Sequence, residues 1–135
     1  MIVSSGATAN ATNIVSFTAG AGSSNSSGTV NLTTQTGGGT INMNAASGDY
    51  KINGQGGVDS LTGGGGADII NGGANADNIS GGNGDDVLSG GADNDSLTGG
   101  AGTDTFKVEV GTDTITDMGG ASGGETDVLI ESAGA

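Results

Sequence analysis

Apolar side chains recur every nine residues through the second half of the chain. Each is the middle residue of a triplet such as Ser60-Leu61-Thr62. Side chains alternate along a strand, so the middle residue faces one way and its two neighbours face the other. The six residues before each triplet are rich in glycine, which predicts a tight turn. The pattern therefore predicts short strands joined by glycine turns, with inward side chains at Leu61, Ile70, Ile79, Leu88, Leu97, Phe106 and Ile115.

Aspartate forms a second column of the same period, two residues before each apolar position. The carboxylates belong to Asp59, Asp68, Asp77, Asp86, Asp95, Asp104 and Asp113. A disordered acidic segment has no reason to keep glycine, aspartate and apolar columns in phase over seven repeats. The sequence therefore predicts an ordered parallel coil, in which two repeats complete one coil with a strand on each side.

The stacking of alternate repeats brings carboxylates of neighbouring coils close together. One edge carries Asp59, Asp77, Asp95 and Asp113, and the other carries Asp68, Asp86 and Asp104. Parallel strands lie ~4.8 Å apart, so these carboxylates repel one another unless a cation lies between them. A hard dication that accepts six to eight oxygen ligands relieves this repulsion. The sequence therefore predicts several calcium ions, about four to six, in the turns.

The turn backbone is expected to supply the other ligands, because glycine lets carbonyl groups converge on an ion. The predicted carbonyl ligands lie near Gly64, Gly66, Gly73, Gly82, Gly84, Gly91, Gly100 and Gly102. Side chains in the same turns are further candidates, namely Asn83, Asp85 and Asp93. One buried apolar residue per repeat is too little to offset the entropy of ordering the chain. We therefore expect the repeats to be largely unfolded without calcium.

The stretch from Gly54 to Thr116 resembles the calcium-binding β-roll of the RTX (repeats-in-toxin) family. The resemblance implies that each calcium sits between two stacked turns, bound by the repeat aspartates and by turn carbonyls. It also implies export by a type I secretion system into calcium-rich medium. Asn75 and Asp93 replace a turn glycine, but both residue types tolerate left-handed backbone angles. Val108-Glu109-Val110 replaces the opening glycines of the last repeat, which makes Asp113 the weakest predicted site.

The predicted fold class is all-β, a right-handed parallel β-roll or β-solenoid with calcium in the turns, preceded by a short uncharged β-rich segment. Residues 1–36 are interpreted as a Ser/Thr/Asn-rich β segment for assembly or docking. Residues 37–53 are interpreted as metal-free lead-in rungs, residues 54–116 as the β-roll, and residues 117–135 as a loop and a capping strand.

The lead-in rungs follow from extending the nine-residue columns backwards. The apolar column extends to Ile52 and Met43, whereas the aspartate column is occupied by Tyr50 and Ile41. The column of turn glycines extends through Gly57, Gly48 and Gly39. The coil is therefore predicted to begin near Gly37, two repeats before the calcium sites.

The amino-acid composition disfavours several classes of partner and of catalytic function. The chain has 31 glycines, 15 acidic and two basic residues, a net charge of -13, and neither cysteine nor histidine. The net negative charge disfavours nucleic acids and anionic membranes as partners. Without histidine and cysteine, the chain lacks the commonest general base and the commonest transition-metal ligands. We expect no enzyme and no membrane insertion, and residues 1–17 do not read as a cleaved signal peptide.

The expected role is a calcium-binding structural or assembly protein of an extracellular surface layer, filament or virion. Its expected partners are calcium and copies of itself or a larger scaffold, contacted through the N-terminal segment. Two alternatives are an adhesion or carbohydrate-binding module, and a calcium-dependent folding module cut from a larger type I-secreted protein. The scarcity of aromatic residues disfavours stacking on sugars.

Overall fold

The computed structural model describes residues 2–3, 8–20, 24–25, 29–118 and 126–132, and these residues form strands and turns that stack into a parallel β-solenoid. Among the described residues, no helix is long and apolar enough to cross a membrane. The described strands are β1 (Ile2–Val3), β2 (Thr8–Ile14), β3 (Ser16–Thr18), β4 (Ser24–Asn25), β5 (Thr29–Thr34), β6 (Thr40–Asn42), β7 (Tyr50–Asn53), β8 (Ser60–Thr62), β9 (Ile69–Ala74), β10 (Asn78–Asn83), β11 (Val87–Ala92), β12 (Ser96–Ala101), β13 (Thr105–Val108), β14 (Thr114–Ile115) and β15 (Val128–Glu131).

Two parallel sheets form the walls of the solenoid. One has the order β14-β12-β10-β8-β6-β3 and the other β15-β13-β11-β9-β7-β5-β2, while β1 and β4 pair separately. Within the repeats, successive strands alternate between the two walls, so each coil contributes one strand to each. Ile79 pairs with Leu97, and Ile70 pairs with Leu88. This register confirms the predicted stacking of alternate repeats.

The core is a stack of single side chains, one from each repeat strand, with smaller contributions from the turns. Because each coil is only two strands wide, every inward side chain meets its counterparts from the opposite strand and from the neighbouring coils. The buried apolar residues are Ala19, Val30, Leu32, Ile41, Met43, Ala46, Tyr50, Ile52, Leu61, Ile70, Ile79, Leu88, Leu97 and Phe106. Ile115, the last predicted inward residue, is partly buried against this stack.

The backward extension of the columns is correct for one rung and wrong for the other. Ile52 pairs with Ile70, and the backbone N–H of Tyr50 bonds to Asp68, so these two residues occupy the apolar and aspartate columns as predicted. Ile41, however, pairs with Leu61 and lies in the apolar column. Gly39 donates its N–H to Asp59 and therefore takes the place predicted for Ile41.

A wider turn between β6 and β7 causes this shift. Ile41 and Ile52 are separated by two residues more than the repeat spacing, so the coil from Ile41 to Leu61 is correspondingly longer. Met43 therefore moves out of the strand column, and with Ala46 it is buried in the turn. The Tyr50 hydroxyl donates a 2.9 Å hydrogen bond to the Ser47 carbonyl and closes the turn. Apolar packing thus fills the space in this rung.

The coil also begins upstream of its predicted start near Gly37. Strand β5 pairs in parallel with β7, β3 pairs with β6, and β2 pairs with β5. The described part of the uncharged segment therefore continues both walls of the solenoid. Its coils are longer than two repeats, as the pairing of Phe17 with Ile41 shows, and the nine-residue register could not reveal them.

The C-terminal strand was predicted to close the coil, and β15 is found in that position. It pairs in parallel with β13, with Phe106 opposite Leu129. Strand β15 is thus the last described strand of its wall, and its Leu129 follows Ile115 by 14 residues instead of nine.

Candidate metal centre

The turns owe their shape to residues with left-handed backbone angles. In the fourth position of the turn, Gly66, Gly84 and Gly102 have φ values of 115°, 117° and 130°. Asn75 and Asp93 occupy the same position with φ values of 77° and 80°. These values confirm that asparagine and aspartate substitute for glycine in the turn.

The repeat aspartates lie where each turn enters its strand, and they are linked by a ladder of hydrogen bonds. Within each column, the backbone N–H of one aspartate donates to Oδ1 of the aspartate one coil further on. On one edge the bonds run from Asp59 to Asp77 (2.8 Å), from Asp77 to Asp95 (2.8 Å) and from Asp95 to Asp113 (2.9 Å). On the other they run from Asp68 to Asp86 (2.7 Å) and from Asp86 to Asp104 (2.9 Å). The structure therefore brings the predicted ligands together in two columns.

The second oxygen of these carboxylates has no partner on the protein. Asp68 is an exception, since its Oδ2 accepts a 2.8 Å bond from the Gly64 N–H. The Oδ2 atoms without a hydrogen-bond partner are those of Asp59, Asp77, Asp86, Asp95, Asp104 and Asp113, and all are buried. A buried anionic oxygen without a partner costs several kcal/mol, on the order of 1–3 or more. These oxygens therefore point to a cation that the protein side chains do not supply.

Backbone carbonyls face the same gaps between coils. A Cβ atom built on Gly100 or Gly102 would overlap the carbonyl oxygen of Gly82 or Gly84 in the preceding coil. A Cβ atom on Gly81 would overlap Oδ2 of Asp86 and lie 2.7 Å from the Gly99 carbonyl oxygen. Glycine is therefore required here, because the space beside each turn belongs to oxygen atoms.

Hydrogen bonding already engages some of the predicted carbonyl ligands. The carbonyl of Gly64 accepts from the Asn83 N–H at 2.8 Å, and that of Gly91 accepts from the Val110 N–H at 3.1 Å. A carbonyl oxygen has two lone pairs and can both accept a hydrogen bond and bind an ion. These hydrogen bonds therefore do not prevent the turn carbonyls from binding calcium, and the proposal that they do so rests on their position beside the gaps between coils.

Burial changes the acidity of the aspartates. Burial, and to a smaller extent the neighbouring carboxylates, raises the pKa of Asp86 to about 7 and that of Asp77 to about 6. The pKa of Asp68 is likewise raised to about 6, mainly by burial. Burial also raises the pKa of Asp59, Asp95 and Asp104. The ion-free coil therefore holds its aspartates in an environment that disfavours their charge.

The three turn residues predicted as additional calcium ligands, Asn83, Asp85 and Asp93, have different roles in the structure. Asp85 is exposed, and its Oδ1 accepts a 2.8 Å bond from the Thr103 N–H of the next coil. Asn94 accepts an equivalent bond from Thr112. Asp85 thus belongs to an outer set of bonds that joins turns. Asn83 lies in β10, and Asp93 shapes its turn through its backbone.

Asp127 takes the aspartate position just before β15, the last described strand, although the sequence predicted only a capping strand there. Its Oδ1 accepts a 2.9 Å bond from the Asp104 N–H, as in the ladder of the repeats. The signal was present in the triplet Asp127-Val128-Leu129, where an aspartate again stands two residues before an apolar side chain. It was missed because five additional residues separate it from the nine-residue register.

The arrangement fits calcium through its oxygen donors. Among the described residues, no group of three or more acidic, histidine or cysteine side chains forms a metal site by itself. The aspartate column and the turn carbonyls would have to share the ions, which suits a cation that accepts six to eight oxygens in flexible geometry. When bound, calcium would neutralise the unpartnered carboxylate oxygens.

We predict that Asp86→Ala lowers calcium stoichiometry more than Asp113→Ala does. Asp86 lies between Asp68 and Asp104 in its column, so its loss affects two gaps, whereas Asp113 is the last repeat aspartate of its column. Isothermal titration calorimetry on both variants measures the number of ions bound. Equal losses would contradict the assignment of the ions to gaps between stacked aspartates.

The raised pKa values predict how pH affects the calcium-free protein. The pKa is about 6 to 7 for several folded-state aspartates against 3.8 in the unfolded chain, so the folded coil binds protons more readily. Stability from these groups is present below the unfolded pKa and is lost as pH rises through the folded pKa. Circular dichroism of metal-stripped protein should therefore show more β-structure at pH ~4.5 than at pH ~7.5. Identical spectra at the two pH values would contradict this prediction.

Comparison with known proteins agrees with the geometry. The family model for the RTX calcium-binding nonapeptide repeat, described as four copies, matches residues 51–79, 71–106 and 80–115. The search of curated proteins and the search of solved structures return no match. The matched residues contain both aspartate columns and the glycine turns that face them. Residues 51–115 therefore belong to the RTX calcium-binding repeat family and form its β-roll module.

Proposed function

We propose that the chain is a non-catalytic structural protein that calcium folds and stiffens outside the cell, in a surface layer, filament or virion. One observation carries this proposal, namely the two columns of buried carboxylate oxygens that lack hydrogen-bond partners. Ions placed between the coils would make metal binding part of folding itself. RTX repeat proteins are generally secreted, and calcium outside the cell would favour the folded state.

The distribution of charge supports a structural role. Residues 1–48 contain no charged side chain, whereas all 15 acidic residues lie from Asp49 onwards. The acidic part repels other copies of itself, and the neutral part does not. Association with other copies or with a scaffold is therefore expected at the N-terminal end of the solenoid.

The strand order also indicates that the contact surface lies at the N-terminal end of the solenoid. Among the described strands, β2 and β3 are the outermost members of the two sheets at the N-terminal end. Strand edges and coil ends without a cover pair readily with other chains. Because β5 pairs with β7, deletion of residues 1–36 would also remove a strand from the repeat coil. Single substitutions therefore test the contact surface more cleanly than deletion.

A second candidate function is adhesion to a neutral, hydroxyl-rich partner such as an uncharged polysaccharide. The wall that contains β3, β6, β8, β10, β12 and β14 favours it, because the two residues that flank each inward side chain are serine, threonine or asparagine. These residues are Ser16, Thr18, Thr40, Asn42, Ser60, Thr62, Asn78, Ser80, Ser96, Thr98, Thr114 and Thr116. They form an uncharged surface of hydrogen-bonding groups on an acidic molecule, without the aromatic residues on which sugars stack.

The buried sites would serve equally well in a calcium-dependent folding module of a larger type I-secreted protein. Mass measurement of the natural assembly separates these roles. A complex of many copies of this chain supports the structural role, whereas a single longer polypeptide supports the folding module.

We predict that calcium converts a largely unfolded chain into the solenoid at neutral pH. The β-signal in circular dichroism should rise on titration with calcium, and the hydrodynamic radius should fall. A chelator should reverse both changes. Magnesium should substitute poorly because it demands octahedral geometry and keeps several waters. A spectrum that chelator leaves unchanged would contradict metal-coupled folding.

We predict that Val15→Asp weakens association of the calcium-loaded protein, whereas Val58→Asp does not. Val15 belongs to the uncharged segment and is 62% exposed, and Val58 belongs to the repeats and is 69% exposed. The two variants add the same charge to equally accessible valines, so they form a matched pair. Light scattering in excess calcium measures the mass of the particles.

Loss of association in both variants, or in neither, would move the contact surface away from the N-terminal segment. A wild-type chain that stays monomeric at high concentration would contradict self-assembly.

A further inference from the structure

Three asparagines of the repeat coil are followed directly by glycine. The pairs are Asn53-Gly54, Asn71-Gly72 and Asn83-Gly84. All three asparagine side chains are exposed, so water reaches them. Glycine has no side chain to shield its backbone nitrogen, and its backbone turns more freely than that of other residues. An asparagine before glycine is therefore the asparagine whose side chain reacts most readily with its own main chain.

The reaction at such a pair exchanges bonds and needs only water. The backbone nitrogen of the glycine loses its proton to water and bonds to the side-chain carbonyl carbon of the asparagine. The bond from that carbon to the amide nitrogen breaks and ammonia leaves, so that a cyclic imide remains. Water then opens the ring at either carbonyl carbon and gives aspartate or isoaspartate. In isoaspartate the main chain runs through the side chain and is one carbon atom longer.

In the coil, the attacking nitrogen atoms are held by bonds between coils. The Gly54 N–H donates to the Asn71 carbonyl at 2.8 Å. The Gly84 N–H donates to the Ala101 carbonyl at 2.7 Å. Gly72 lies inside β9, which is paired with β7 on one side and with β11 on the other. Ring closure turns the glycine nitrogen towards the carboxamide, so it requires that this backbone pairing open first.

The carboxamide of Asn53 is also held in place. Its Oδ1 accepts a 3.0 Å hydrogen bond from the Gln55 N–H, two residues further on. Both reacting groups of the pair Asn53-Gly54 are thus occupied in the folded coil. The structure therefore leaves water free to reach the asparagine but removes the backbone freedom that the first step needs.

An isoaspartate beside these glycines would disturb the gaps between coils. A Cβ atom built on Gly54 would lie 2.6 Å from Oδ2 of Asp59, and one on Gly72 would overlap Oδ2 of Asp77. The main chain therefore runs directly against the repeat carboxylates and has no room for an additional carbon atom. A longer main chain would also change the constant spacing that keeps the aspartates of successive coils in register.

We propose that Asn53, Asn71 and Asn83 are modification sites that convert to aspartate and isoaspartate in the calcium-free chain, and that the calcium-loaded coil protects them. This inference rests on the proposed coupling of folding to calcium. A chain kept without calcium would gradually lose the ability to fold when calcium is supplied. Calcium would thus determine the chemical lifetime of the protein as well as its fold.

The test incubates the wild-type protein in excess calcium and in chelator at neutral pH. Peptide mapping by mass spectrometry measures the converted fraction of each asparagine. In chelator the three asparagines should convert together, and in calcium at least roughly tenfold more slowly, because the paired backbone must open first. Asn78 is the internal control, since it is exposed but precedes Ile79, whose branched side chain hinders attack. It should stay intact in both samples.

Recovery of the fold supplies the second measurement. Protein aged in chelator should regain less β-signal in circular dichroism on addition of calcium than fresh protein does. A variant that combines Asn53→Gln, Asn71→Gln and Asn83→Gln should regain as much after ageing as before, because glutamine must close a larger ring and reacts more slowly. The mapping experiment uses only the wild-type chain and therefore does not depend on the folding of this variant.

The outcomes separate this proposal from the proposed function. Equal conversion in calcium and in chelator, in a protein that calcium visibly folds, would overturn the protection. Conversion of Asn78 as fast as that of Asn53 would overturn the assignment to the glycine pairs. Full recovery of the β-signal by a converted chain would overturn the loss of folding. A spectrum that calcium does not change in fresh protein would instead overturn the proposed function.

Discussion

The whole structure depends on the burial of like charges in register. A parallel coil places each aspartate above the corresponding one in the next coil, and strand spacing of ~4.8 Å leaves no freedom to separate them. Each carboxylate satisfies one oxygen with a backbone N–H, and in most of them the other oxygen lacks a protein partner. Removing such a group from water costs several kcal/mol per ion unless an opposite charge accompanies it. We therefore propose that a cation completes the fold, which would couple the stability of the solenoid to the medium.

The remaining features of the coil leave room for oxygen atoms in the gaps between coils. Glycine is needed where the oxygen atoms of Asp86 and Gly99 occupy the space that a side chain would take. The apolar core is only one side chain thick on each wall, so it buries little apolar surface for the length of chain that it orders. In the rung before the first repeats, Met43 and Ala46 instead fill a wider turn with apolar groups. The space inside the turn is thus filled by apolar side chains in this rung and lined by carboxylate oxygens in the repeats.

The sequence predicted the repeat coil well because three residue types stay in phase there. The pairing of alternate repeats, the two aspartate columns and the left-handed Asn75 and Asp93 were all predicted from that phase. Prediction failed wherever the chain changed its coil length, as at Ile41, which two additional residues move into the core column. Asp127 was missed for the same reason, since the spacing that precedes it is longer. Periodicity locates residues only while the period holds, and backbone pairing is needed to detect the register on either side of an insertion.

The aspartate ladder also gives the molecule a direction. Every bond in it runs from an N–H in one coil to a carboxylate in the coil that follows, starting from Gly39 and Tyr50, which donate but carry no carboxylate of their own. One end of the ladder is therefore defined by donors and the other by acceptors. A coil broken between two repeats would expose unlike surfaces, carboxylate oxygens on the C-terminal fragment and amide groups on the N-terminal fragment. Such surfaces complement each other only head to tail. Each coil therefore has a donor side and an acceptor side, which fix the direction in which coils can stack.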